Sequence, residues 1–398
     1  MSNKKILLVN KFYYSRGGDC LVMMNTEHLL QAAGYEVAVY AMSYEQNIAS
    51  PYSSLFASEV KFSGKGIIKA AMRSLGLGDI VQSFNNILQE FRPDIVHFHN
   101  IHSYLSPIIV KQAYNFGCKV LWTMHDYKVL CPSYSCLRNG KPCQLCFNDK
   151  SQVLRHRCMK NSLPASILAY IEALRWNKST LQKYVHHFIA PSQFMRSKMV
   201  EAGYDADRIS VICNCIDKNK SNLLAQATYQ KSDTPYYCYV GRLSQEKGIE
   251  QLLVTAAQLP YKLYVAGTGP LADTLQKQYA NNDNIVFTGH LTANQVVELV
   301  TNAEALVIPS ACYENNPLSV IESLCMGTPV IGARIGGIPE LIDEHETGLL
   351  YDNDNSQELQ SHIKSIFEQN HFNRAEIAYK SRMRFSEENH LSQLIALF

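Results

Sequence analysis

Two carboxylates eight residues apart frame the stretch Glu314-Asn315-Asn316-Pro317-Leu318-Ser319-Val320-Ile321-Glu322. A proline at the first position of a helix leaves the next backbone N–H groups unpaired. Asn316 therefore reads as the cap, Pro317 as the first helical residue, and the N–H groups of Leu318 and Ser319 as donors open to phosphate. Glu314 falls in the loop before the helix and Glu322 almost two turns into it. One carboxylate can then bind the hydroxyls of one sugar, and the other those of a second sugar further along the same ligand. A second element supplies cations. Val240-Gly241-Arg242 closes a strand and Lys247-Gly248 follow, giving a guanidinium that can fork phosphate oxygens and an ammonium that acts as a point charge. A third, Arg16-Gly17-Gly18-Asp19, lets backbone approach a ligand closely at a helix start, with Asp19 as the expected N-cap of a helix over 20–33. It is not Gly-x-Gly-x-x-Gly, which disfavours a nicotinamide oxidoreductase.

These residues need strands to hold them. Short β-branched runs alternate with longer helical patterns through all 398 residues, the pattern of an α/β chain with parallel sheets. Strands are expected at 6–10, 36–41, 94–99, 119–125 and 187–191, and then at 236–242, 262–267, 284–288, 305–309 and 329–333. A polar stretch at 214–235 separates the two sets, with the boundary near Cys215. Two doubly wound domains of this kind place ligands beyond the carboxyl ends of their strands, where all three elements fall. A net charge of +2 hides an asymmetry. Residues 1–200 carry 23 Lys+Arg against 11 Asp+Glu, and residues 201–398 carry 14 against 24. The near-neutral total gives no reason to expect nucleic acid, and the uneven halves suggest modules with different ligands. No apolar run reaches the length of a membrane span and the N-terminal run is too short for a signal peptide, so a cytoplasmic location is expected, peripheral at the inner face of the membrane in one reading. The 12 cysteines then read as thiols or metal ligands.

Six elements in order resemble family 4 of the glycosyltransferases, retaining nucleotide-sugar enzymes with a GT-B fold. They are Arg16-Gly17-Gly18; Thr123-Met124-His125-Asp126; Val240-Gly241-Arg242 with Lys247-Gly248; Ala266-Gly267-Thr268-Gly269-Pro270-Leu271; Phe287-Thr288-Gly289; and Glu314–Glu322, continued by Thr347-Gly348-Leu349-Leu350. The match is densest over 236–350. The resemblance implies two Rossmann-like doubly wound domains facing across a cleft: an acceptor domain over 1–215, a donor domain over 216–378, and a C-terminal helix over 379–398 packing back on the first. It implies that Arg242 and Lys247 bind the donor diphosphate, that Glu322 binds the ribose, and that Glu314 binds the donor sugar with help from the backbone of 315–319, including Asn316, Pro317, Leu318 and Ser319. The base would lie near Gly289, His290 and Leu291. His125 would reach the donor sugar from the first domain, with Gly17 and Gly18 at the donor–acceptor boundary and Arg16, His99 and Asn100 on the acceptor side. The implied donor is a nucleoside-diphosphate sugar and the acceptor a glycan or polyprenyl-linked sugar, in surface polysaccharide or glycolipid assembly.

Fixed cations and a helix N-terminus can stabilise the leaving diphosphate with no cofactor required. Asp205-Ala206-Asp207 and Asp352-Asn353-Asp354 read as surface turns. The loop bearing Cys131, Cys136, Cys143, Cys146 and Cys158 has ligand-like spacing; structural zinc is one reading and free thiols the other. His97 and His99 share a strand face, but read as cleft or core residues. Lys61, Lys65, Lys69 and Arg73 recur every four residues beside Ile67, Ile68, Ala71, Met72 and Leu75, as in helices lying on an anionic membrane; Arg155, Arg157 and Lys160 form a second basic patch. Two other readings use the same fold, a nucleotide-sugar 2-epimerase and a non-catalytic partner of another transferase. The first lacks support from the Glu-x7-Glu element, and the joint presence of Arg242, Lys247, Glu314 and Glu322 argues against the second.

Overall fold

A computed structural model describes residues 4–61, 64, 66–216, 218–226, 228–369 and 372–398. The chain divides into two compact units, one built from residues up to 136 with 143–213 and 391–398, the other from 137–142 and 214–390.

The first unit is organised on a six-stranded parallel sheet. From edge to edge its strands are Glu36–Tyr40, Lys5–Val9, Ile95–Phe98, Lys119–Thr123, His187–Ala190 and Ile209–Val211. Helices cover both faces, so central strands are continuous apolar runs: Ile6, Leu7, Leu8 and Val9 are all fully buried. Lys5–Val9 pairs with Glu36–Tyr40 on one side and Ile95–Phe98 on the other. The strand order reverses there, and the residues leaving Val9 and Phe98 open at the position where α/β sheets bind ligands.

The second unit repeats the plan with strands Ile285–Gly289, Lys262–Ala266, Tyr236–Val240, Leu306–Ile308, Val330–Ala333 and Gly348–Tyr351. Its reversal lies between Tyr236–Val240 and Leu306–Ile308, which are paired at Leu306 and Cys238. The segments that follow them, 241–248 and 309–317, are those carrying Arg242, Lys247 and Glu314.

All ten expected strands are present, most ending one or two residues early where the chain turns into its ligand-facing loops. Two edge strands, Ile209–Val211 and Gly348–Tyr351, complete the sheets and were not anticipated. Two helix starts differ from expectation. The first helix runs Gly18–Ala32 with Gly17 as its cap; the N–H groups of Cys20 and Leu21 both reach the Gly17 carbonyl, so Asp19 sits inside the first turn. The helix after Glu314 runs Leu318–Cys325 with Pro317, not Asn316, in the cap position. Asn316 stays outside because Asn214 holds it: the Asn214 N–H donates to Asn316 Oδ1 and its side-chain amide to the Asn316 carbonyl, both at 3.0 Å.

The basic stretch departs from expectation at one cation. A helix forms over Gly66–Ser74, and Lys65 lies outside the described residues. The Arg73 side chain is 0% exposed and pairs with Asp79 at 2.5 Å, also donating to the Ser58 carbonyl. Lys69 stands 3.7 Å from the same carboxylate. Arg73 is thus consumed inside the unit, whereas Lys69 keeps 49% of its side chain exposed. Among the described residues no helix is long and apolar enough to cross a membrane.

Candidate functional site

In the second unit, three loops meet beyond the carboxyl ends of the central strands. The strand Tyr236–Val240 delivers Arg242, which is exposed and joins no ion pair among the described residues. A short 3-10 turn, Gln245–Lys247, then carries Lys247 back to Glu314, with Nζ to Oε1 at 2.6 Å. Burial opposes the Lys247 charge, but the Glu314 carboxylate outweighs it and holds the ammonium above its ordinary pKa. Ser310 Oγ donates to the same Oε1 at 2.7 Å. Glu246, the nearest acid in sequence, accepts from the Ser244 hydroxyl instead.

Backbone contacts fix this geometry. Ala311 N–H donates to the Glu246 carbonyl at 3.0 Å, and Gly337 N–H to the Glu314 carbonyl at 2.7 Å. Glycine is required at two of the crossings. A Cβ on Gly248 (φ +68) would stand 1.8 Å from the Pro309 carbonyl oxygen, and one on Gly336 (φ +60) 2.2 Å from that of Glu314. The Gly-rich turn 335–337 is therefore the seat of the loop bearing Glu314. The N-terminal N–H groups of Leu318–Cys325 follow directly, and Glu322 projects from that helix into an ion pair with Lys220. Lys220 belongs to the helix Lys218–Gln226 and, like Ser310 and Asn214, was missed from sequence. Gly289, His290 and Leu291 end the edge strand of the same sheet, three strands from Leu306–Ile308. His290 is exposed there. Arg242, Lys247, Glu314, Asn316, Pro317, Leu318, Ser319 and Glu322 are thus gathered at one sheet end, with 289–291 further along it.

In the first unit, Arg16 is exposed with its guanidinium 4.0 Å from the Phe12 ring centroid, followed by exposed Gly17 and Gly18. His125 leaves the strand Lys119–Thr123, and its Nε2 is 2.9 Å from Nδ1 of His99 with the rings stacked. Burial pushes the His125 pKa down, against the opposing pull of Asp19 and Asp126. His99, expected on the acceptor side, is only 1% exposed; it backs His125 and does not line open surface. Asn100 is buried too, its N–H donating to Asn10 Oδ1 at 3.0 Å. Asn10 ties the two switch-point loops together, a role a lone Asn after a strand does not announce. His97 bonds Thr123 at 2.7 Å in the core.

All twelve cysteines are free. In the loop, Cys136 and Cys143 flank a small hairpin, with Cys143 N–H donating to the Cys136 carbonyl at 2.7 Å. The Cys131 sulfur is hydrogen-bonded to the Cys136 and Cys146 thiols, which draws its pKa down and theirs up. Cys158 follows the helix Gln152–Arg155. Among the described residues no three His, Cys, Asp or Glu side chains form a group that could hold a metal ion. Asp205 caps the turn Ala206–Arg208 by accepting from Asp207 N–H, and Asp352 follows the edge strand Gly348–Tyr351 and pairs with Arg334.

The family model described as Glycosyltransferase Family 4 matches residues 21–220, and the model described as Glycosyl transferases group 1 matches residues 223–390. An uncharacterized 42.6 kDa protein in the cps region of Klebsiella pneumoniae is 25% identical over 355 residues, which is 84% of this chain and 87% of that protein. Among solved structures, the lipopolysaccharide outer core galactosyltransferase WaaB in its apo form is similar with a TM-score of 0.66 at 17% identity, over 99% of this chain and 100% of that one. Anabaena Alr3699/HepE in complex with UDP-glucose is similar with a TM-score of 0.67 at 16% identity, over 98% of each chain. The shared fold is GT-B, two Rossmann-like parallel α/β domains.

Proposed function

The chain belongs to glycosyltransferase family 4, and we propose that it moves a sugar from a nucleoside diphosphate to a glycan or polyprenyl-linked acceptor with retention at the anomeric carbon. The observation that carries the reading is the clustering of Arg242, the Lys247–Glu314 pair and the N-terminus of Leu318–Cys325 at one sheet end. A diphosphate placed there meets two cations and unpaired N–H groups, while Glu314 and Ser310 offer oxygens to sugar hydroxyls and Glu322 offers a carboxylate to the ribose. The acceptor oxygen forms its bond to the anomeric carbon on the face from which the diphosphate departs. The carbon–phosphate-oxygen bond breaks, and the departing phosphate takes the acceptor proton. The fixed cations stabilise the charge that develops on the leaving group, so no divalent metal is required. In the first unit, burial disfavours the charged form of His125 and leaves a neutral imidazole there. The setting is surface polysaccharide or glycolipid assembly, with the protein peripheral at the cytoplasmic face of the membrane. The likeness of fold to WaaB, a lipopolysaccharide outer core galactosyltransferase, supports that setting.

Thermal-shift screening with UDP, GDP, ADP and their sugars in the presence of a chelator tests the donor, because a ligand of the folded state raises its apparent stability. Turnover of the selected sugar with the anomer followed by NMR then tests retention. Stabilisation by no nucleoside diphosphate, strict dependence on Mn²⁺ or Mg²⁺, or an inverted product would each overturn the corresponding part.

A further inference from the structure

The helix Leu163–Arg175 turns an aliphatic stripe outward that nothing in the first unit covers. Leu163, Ile167, Ile171 and Leu174 are 43%, 42%, 44% and 49% exposed, and their spacing of four, four and three places them on one helical face. The opposite face supplies Ser166, Ala169 and Glu172 to the interior. Glu172 is the only acid between positions 150 and 178, and it points inward, pairing with Lys128 at 3.0 Å and accepting from the Ser103 N–H and hydroxyl. Arg155, Arg157 and Lys160 lead into the helix and Arg175 ends it, all exposed. None of these four forms an ion pair among the described residues. The contrast with Gly66–Ser74 is direct: that helix also exposes Ile67, Ile68 and Met72, but Arg73 and Lys69 are turned onto Asp79.

Charge decides the occupant. A second copy of the chain seated antiparallel on this face would set Arg157 and Lys160 against the partner copy's cationic helix end, and a parallel seating would stack like on like. An anionic bilayer matches both parts of the face, headgroups for the cations and acyl chains for the aliphatics.

We propose that Leu163–Arg175 lies in the interface of an anionic membrane, with Arg155, Arg157, Lys160 and Arg175 at the headgroup level. The inference deepens the lipid-linked-acceptor reading and rests on it for its purpose, but its test does not depend on transfer activity. The full chain is sedimented with phosphatidylcholine vesicles, with and without phosphatidylglycerol, at low and high salt. Binding is expected only to the anionic vesicles and only at low salt. The variant Leu163→Ser/Ile167→Ser/Ile171→Ser/Leu174→Ser is expected to lose it. Arg155→Gln/Arg157→Gln/Lys160→Gln should weaken it by roughly tenfold or more, since each cation near such a surface is worth about fivefold. Lys61→Gln/Lys69→Gln should leave it unchanged. Stabilisation by nucleoside diphosphate, read on the same samples, should be equal in all of them, which separates failure of this surface from failure of the donor reading. Absence of sedimentation with anionic vesicles at low salt would overturn the proposal, as would full binding by the four-serine variant. A concentration-dependent dimer abolished by that variant would assign the face to a second copy instead.

Discussion

Lys247 and Glu314 make opposite demands in the presence and absence of ligand, and replacing Lys247 by methionine exposes both. In the free protein the ammonium and carboxylate are 2.6 Å apart, with side-chain exposures of 33% and 13%. At that distance an effective dielectric near 20 gives about 6 kcal/mol of attraction before desolvation is charged against it. Removing one partner of a buried pair costs about 3–5 kcal/mol, because the other charge is left in a poor environment. Lys247 is a third exposed, so screening reduces the expected loss for Lys247→Met to about 2 kcal/mol. For a unit of this size that is a fall in Tm of about 4–8 °C. The double variant Lys247→Met/Glu314→Gln removes the stranded charge and should regain most of that stability. Turnover should not return with it, since the leaving diphosphate has lost a fixed cation, and loss of one such electrostatic donor costs ~10²–10³ in rate. Thermal unfolding and steady-state kinetics on the two singles and the double complete the cycle. Equal Tm in the Lys247 single and the double, or a double that transfers sugar at the parental rate, would refute the division between a structural and a catalytic role.

The two carboxylates should separate by assay. Glu322→Ala is expected to weaken bare nucleotide binding by roughly tenfold, the scale of a hydrogen bond to a charged group, whereas Glu314→Ala should leave it nearly intact and lower turnover; equal losses in a titration would contradict this. Gly336→Ala forces a side chain into backbone at φ +60 and onto the Glu314 carbonyl, so transfer should be lost while bare nucleotide still binds; a normal rate would show that the loop is not seated there. Burial, helped by the Lys128 charge, pushes His102 down to about 3 from 6.5. The unfolded imidazole takes its proton as pH falls below 6.5 and the folded one does not, so stability should decline with acidification through that window by up to about 1.4 kcal/mol per pH unit. Urea midpoints at several pH values should show the slope, and His102→Phe should flatten it; an unchanged slope would place the effect elsewhere.

The loops bearing Arg242, Lys247 and Glu314 were legible because their chemistry is local: a cation pair, a glycine and a helix capped at a proline must follow particular strands, whatever surrounds them. What escaped depends on segments distant in the chain. Asn214 and Asn316 are 102 positions apart, and no spacing rule connects them, yet their pairing sets where the Leu318–Cys325 helix begins. Lys220 and Glu322 are hidden for the same reason. Arg73 was illegible for a different one: a helical wheel looks the same whether that guanidinium faces solvent or Asp79. His99 could be placed on a strand end, but its burial behind His125 required the neighbouring strand.

The loop bearing Glu314 is held by main-chain atoms, through Ala311 to Glu246 and through Gly337 to the Glu314 carbonyl, and by an absent side chain at Gly336. These main-chain anchors place no demand on the side chain of Cys312, which lies between them. Substitution at Cys312 should therefore leave the Glu314 carboxylate in register with Lys247. Small substitutions at Cys312, followed by thermal unfolding, would then leave the midpoint near that of the parent chain.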